Sequence, residues 1–168
     1  MNVPGRTKKR PASFLALLAL SALLLLPVTG CKTFEPKPLP PVDLSQPGWT
    51  VREGQAIYKR NRNTPEIAGD IIVATKGPDR AFVQFSKTPF PLVVAQSAPG
   101  RWQVETPTDN KRYSGRGQPP KRLIFLYLPR MLAGLPPPKN WTWQKKENNG
   151  WRLENHSNGE YLEGFFTQ

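Results

Sequence analysis

From Trp49 onward, apolar residues come in short runs broken by glycine, proline and asparagine, the texture of strands joined by turns. Residues 49–53 and 55–60 are the first strand candidates, and Arg60-Asn61-Arg62-Asn63-Thr64-Pro65 reads as a turn. Residues 67–75 form the next run, and Lys76-Gly77-Pro78-Asp79 turns the chain into 80–87. Residues 92–97 and 101–106 follow, hinged at Ala98-Pro99-Gly100. The clearest alternation is Arg101-Trp102-Gln103-Val104-Glu105, which sends Trp102 and Val104 to one side and the polar residues to the other. That is the pattern of a half-buried antiparallel strand. Hairpin spacing throughout predicts a meandering antiparallel sheet rather than βαβ units.

The texture changes after 111–117, a basic, glycine-bearing stretch. Pro119-Pro120 leads into the strongest helical segment, in which residues 123–128 are apolar all round. Pro129 suits the first turn of a new helix better than a helix interior. The expectation is therefore a helix near 121–128, a break, and a short helix over 129–133. Gly134 fits the position after a helix end, and Pro136-Pro137-Pro138 forbids continuation. So apolar a helix must be covered by other elements. Strands then resume at 141–147 and 150–155, and Ser157-Asn158-Gly159 turns the chain into 160–166.

The first thirty residues follow a different logic. Arg6, Lys8, Lys9 and Arg10 precede an apolar run that ends in Val28-Thr29-Gly30-Cys31. A basic start, a short apolar centre and small residues before a cut are the parts of a secretory signal. The ending resembles the lipobox of bacterial lipoproteins, which makes Cys31 the expected lipidation position and a covalent lipid the expected modification. The alternative, an uncut anchor, needs roughly 20 apolar residues, more than the run over 13–28 supplies. Lys32 rather than Asp after the cysteine points, by analogy with enterobacterial sorting, to the periplasmic face of the outer membrane, with the inner membrane as the alternative. Pro36, Pro38, Pro40, Pro41 and Pro47 make 31–48 an extended tether. The expected organisation is a signal peptide over 1–30, the lipidated cysteine and tether over 31–48, and one β domain over 49–168.

Removing the signal leaves 168 − 30 = 138 residues, enough for one core. The signal holds four of the basic residues and no acid, so the mature net charge is 12 − 4 = +8. That balance suits anionic partners such as lipid headgroups, and export argues against nucleic acid. With no cysteine after Cys31, packing alone must hold the fold, and Trp49, Trp102, Trp141, Trp143 and Trp151 offer a large apolar payload.

The order of parts (lipobox, tether, antiparallel strands, apolar helical segment, final strands) resembles the LolA/LolB family of lipoprotein-sorting proteins. Four stretches carry the likeness. Phe85-Ser86-Lys87-Thr88-Pro89-Phe90-Pro91-Leu92 is similar to a family strand ending in a Pro-apolar loop. Arg112-Tyr113 is similar to the approach to the helical lid, Pro129-Arg130-Met131-Leu132-Ala133-Gly134-Leu135-Pro136 to the lid itself, and Gly150-Trp151-Arg152-Leu153 to the strand start after it. The resemblance implies a mainly β fold, a single antiparallel sheet curved into an incomplete barrel with a short apolar helical lid. It implies acyl-chain binding rather than catalysis, with lipoprotein or lipid acyl chains and a periplasmic LolA-like carrier as partners.

On that reading Ile71, Val73, Val83, Phe85, Val94, Trp102 and Val104 would line the hollow from the sheet. Leu123, Phe125, Leu126, Met131 and Leu132 would line it from the lid. The same residues at strand spacing also suit a solid core. Phe90 stands where LolB exposes a leucine that helps deliver lipoprotein into the membrane, and it either points outward or folds back into the core. Lys111, Arg112, Arg116, Lys121 and Arg122 flank the lid and meet either anionic headgroups, an acidic partner or only water. Catalytic signals are thin: His156 lies in a turn, Ser114 lacks the first glycine of a nucleophile elbow, and Gly115-Arg116-Gly117 is too short for a phosphate loop. No cluster has metal-ligand spacing and no cofactor is expected. A structural or assembly lipoprotein, using the fold as an interaction module, is the competing expectation.

Overall fold

The computed structural model describes residues 37–167; the expected lipidation position Cys31 and the expected signal segment lie outside the described residues. Among the described residues nine strands form one antiparallel sheet: β1 (Thr50–Lys59), β2 (Ile67–Lys76), β3 (Arg80–Lys87), β4 (Phe90–Ala98), β5 (Arg101–Thr106), β6 (Lys111–Arg116), β7 (Trp141–Lys145), β8 (Gly150–Asn155) and β9 (Glu160–Phe166). One helix, α1 (Ile124–Leu132), stands between β6 and β7. The strand order is β6-β5-β4-β3-β2-β1-β9-β8-β7, so the final strands return to the far side of β1 and the sheet stays open between β6 and β7. This is the expected incomplete barrel.

Three local expectations are corrected. The two runs expected at 49–53 and 55–60 are one strand, β1, because Gly54 is a contact point rather than a break. A Cβ there would lie 1.9 Å from the Phe165 carbonyl oxygen of β9. Residues 111–116 form strand β6, which pairs with β5 from Arg101↔Arg116 to Thr106↔Lys111. Its scarcity of apolar residues is that of an edge strand defended by charge. The helix is also continuous through Pro129. A mid-helix proline costs about 3 kcal/mol. Seven of the nine helix residues are buried, and each large apolar side chain so buried contributes roughly 1.5–3 kcal/mol. Burial therefore wins. The helix ends in a Schellman turn: Leu135 N–H donates to the Arg130 carbonyl and Gly134 N–H to the Met131 carbonyl, both at 3.0 Å, with Gly134 at φ +81°.

The register sorts the two faces. Ile71 and Val73 of β2 oppose Phe85 and Val83 of β3, and the concave surface continues through Val93, Ala95 and Val104 on one side. On the other side it runs through Ala56, Leu162, Trp151 and Leu153. Helix α1 lies on this surface against β2, β3 and β4. Phe125 packs 5.8 Å from the Phe85 ring and 5.0 Å from the Tyr58 ring, centroid to centroid. Ile71, Phe85, Leu128, Met131, Leu153 and Leu162 are fully buried.

The convex face is also covered, but only from β5 to β2; Val51, Ile57 and Phe165 on the same face stay exposed. Leu39 N–H donates to Gln103 Oε1 on β5 at 2.8 Å, and the Arg101 guanidinium donates to the Lys37 carbonyl. At the other end of the segment, a Cβ on Gly48 would sit 3.4 Å from the Lys76 side chain on β2. Residues 37–48 thus cross the sheet from β5 to β2. Ala74, Phe82, Gln96 and Gln103, which alternate onto this face, are buried. The C-terminal part of the expected tether is therefore a strap bound to the domain, because its proline spacing leaves Leu39, Val42 and Leu44 half-buried between exposed neighbours.

Candidate functional site

Two tryptophans shape the concave floor by the same device. Trp102 of β5 lies opposite Gly115 of β6, and Trp151 of β8 opposite Gly164 of β9. A Cβ would fall 2.4 Å from Trp102 Cζ2 at the first glycine and 2.9 Å from Trp151 Cζ2 at the second. Each indole lies across a bare backbone, and both indole nitrogens are buried with no hydrogen-bond partner among the described residues. Trp151 continues into a stack with Trp143 and Phe166, at centroid distances of 6.2 and 5.5 Å. The glycines opposite these rings were a sequence signal that strand alternation alone passed over.

Most of the expected lining residues meet on this floor. Ile71, Val73, Val83, Phe85 and Val104 are buried there, and Phe125, Leu126 and Met131 descend on them from α1. Trp102, Leu123 and Leu132 are partly buried against the same cluster. Val94 is the exception. It pairs with Gln84 and Glu105 and so lies on the convex face, while Val93 and Ala95 point inward. In Leu92-Val93-Val94-Ala95 both alternations are apolar, so pattern alone could not choose the inward set. A register shift between Phe85 and Ser86 then sets the phase of the hairpin's closed end.

Between α1 and the sheet these side chains pack into one buried cluster. The opening lies at the C-terminal end of the helix, a cleft of about 450 Å³, within the roughly 300–1,000 Å³ typical of small-molecule sites. Val73, Trp102, Leu126 and Leu132 give it an apolar floor; Thr50, Thr75, Arg52 and Arg130 give it polar walls. Sequence reasoning missed Arg52 and Arg130. Arg52 sits at an inward position of β1, opposite Val73, yet is exposed because the helix stops short of it. A second, wider hollow of about 710 Å³ lies on the convex side beside Ile57, Ala68 and Phe165.

At the opposite end of the concave face, Glu160 is buried at 4 % exposure. Its carboxyl accepts the Tyr58 hydroxyl at 3.1 Å. Burial pushes Glu160 up from 4.5 to about 7, and burial together with the neighbouring carboxylate pushes the Tyr58 phenol well above its ordinary range.

Phe90 is 67 % exposed, the most exposed of the large hydrophobic side chains among the described residues. It begins β4 directly after the Thr88-Pro89 turn. The five basic residues do not form one patch. Lys111 and Arg116 occupy opposite ends of β6, roughly 16 Å apart at strand rise. Arg112 is paired with Glu105 at 2.6 Å, and Lys121 and Arg122 are exposed in the turn before α1. His156 sits on an exposed turn beside Thr142 Oγ1. Among the described residues no three His, Cys, Asp or Glu gather as metal ligands, and no helix is long and apolar enough to cross a membrane. Compared with known proteins, the chain matches no family model and no curated sequence.

Proposed function

We propose that this protein is a lipid-anchored lipoprotein of the periplasmic face of the outer membrane that binds acyl chains in the cleft beside α1. On this reading it hands lipoproteins or lipids to the membrane, receiving them from a periplasmic LolA-like carrier. The single observation that carries the reading is the cleft itself, an open end of an otherwise filled half-barrel whose floor is apolar. Each acyl methylene that leaves water for such a floor gains about 0.8 kcal/mol. The lipobox at Cys31 supports the anchor, and exposed Phe90 at a hairpin tip supplies an aromatic suited to the bilayer interface. The packed floor means that a long chain enters only as α1 lifts from β2, β3 and β4. Native mass spectrometry of the full chain with a diacylated lipopeptide tests this. A one-to-one adduct is expected, and its absence rejects acyl binding.

A second reading is an assembly lipoprotein acting as an interaction module without a ligand. It is favoured by the buried cluster on the concave face and by the two sheet edges, β6 and β7, which are unpaired among the described residues and can accept a partner strand. Crosslinking at Thr142 on β7 that captures a single partner in cells, with no lipopeptide adduct, would select it.

A further inference from the structure

We infer that the cleft beside α1 recognises a phosphate-bearing lipid headgroup, held between Arg52 and Arg130; this rests on the acyl-chain reading of the same cleft. Both arginines line the cleft, one carried by the sheet and one by the last turn of the helix. Neither takes part in an ion pair among the described residues, whereas Arg112 and Arg152 are both paired with glutamates. Each instead stands near an aromatic ring: Arg52 has its guanidinium carbon 5.9 Å from the centre of Phe166, and Arg130 has its own 5.5 Å from that of Tyr127. Such rings help to orient a guanidinium but leave its charge uncompensated.

The rest of the cleft sharpens the chemistry. Asp79, in the turn between β2 and β3, is the only carboxylate along its wall among the described residues. Arg80 and Arg101 reach the rim, but strand alternation turns both toward the convex face, and Arg101 is spent on the Lys37 carbonyl. Thr50 and Thr75 pair across β1 and β2 on the cleft side and offer hydroxyl donors. Two planar forks and two hydroxyls above an apolar floor fit an anion with several oxygens attached to a chain. A phosphate takes guanidinium groups in paired hydrogen bonds, and the tail follows Val73 and Leu126. An uncharged amphiphile would leave both arginines unused.

Titration calorimetry on the full chain in neutral detergent tests this with three probes: dihexanoylphosphatidylglycerol, uncharged dihexanoylglycerol, and inorganic phosphate. The phospholipid is expected to bind at least about tenfold more tightly than the glyceride, the ratio of one charge-assisted contact. Arg52→Gln with Arg130→Gln should bring the phospholipid down to the glyceride's affinity and leave the glyceride unchanged, which also reports an intact cleft. Equal affinity for the two lipids in the wild type overturns the headgroup inference while the acyl-chain reading stands. Failure of both lipids to bind sinks the acyl-chain reading and the inference with it. Inorganic phosphate binding as tightly as the phospholipid makes a free anion the ligand and overturns the lipid assignment.

Discussion

Replacing Glu160 by Gln should make the protein more stable above neutral pH and no different in acid. Glu160 is buried on the concave face with the Tyr58 hydroxyl as its partner. In the folded protein its carboxyl ionises only near pH 7, against 4.5 when unperturbed. Between those values the folded chain holds a proton that the unfolded chain has lost, so stability falls as pH rises. The acid's contribution is complete below pH 4.5 and is lost as pH passes through about 7. At about 1.36 kcal/mol per pH unit, that gap corresponds to about 3 kcal/mol. Glutamine keeps a carbonyl oxygen to accept the Tyr58 hydroxyl and carries no proton to lose. Urea unfolding of both proteins at pH 4, 6 and 8 should show curves that coincide at pH 4 and separate by about 3 kcal/mol at pH 8. Parallel pH profiles, or a variant weaker than wild type at pH 8, would refute the reasoning.

Other perturbations probe different parts of the fold. Leu128→Ala removes a fully buried side chain beneath α1 and should cost about 2–5 kcal/mol in a denaturant melt. Gly164→Ala would place a Cβ 2.3 Å from the Gln55 carbonyl oxygen of β1, and since backbone cannot step aside it should cost at least about 1–3 kcal/mol and disturb Trp151 fluorescence. Gly134→Ala forces a side chain onto φ +81° at the end of α1 and should cost about 1 kcal/mol. Phe90→Glu, at so exposed a position, should change stability by less than about 0.5 kcal/mol. On the proposed function it leaves lipopeptide binding intact and abolishes transfer to liposomes; unchanged transfer would remove Phe90 from the delivery step.

Much of the architecture was legible because turns announced themselves. Lys76-Gly77-Pro78-Asp79 and Ala98-Pro99-Gly100 bound β3, β4 and β5, and Asn158-Gly159 closes β8 onto β9. What the pattern hid has local causes. Gly54 reads as an interruption until β9 is known to press on it. Strand β6 reads as a link because its residues satisfy an edge rather than a core. Residues 37–48 read as spacer because proline says extended and says nothing about what the extended chain touches. The candidate site was legible in its apolar half only. Ile71, Val73, Leu126 and their neighbours follow from alternation. Arg52 and Arg130 come together only when β1 and α1 are folded around one cleft.

The adjacency of β1 and β9 has a consequence for how the chain is made. Gly54 pairs with Phe166 and Lys59 with Tyr161, so β1 waits for β9, made about a hundred residues later. Such long-range closure is slow, because a large loop must be ordered before the contact rewards it. Until Glu160–Phe166 emerges, β1 is a raw edge and Ala56 lacks the neighbour that buries it. A chain stopped by a premature codon anywhere before residue 160 would therefore lose the seam that joins its two halves, and not merely a tail. For the nascent polypeptide, Glu160–Phe166 acts as a keystone.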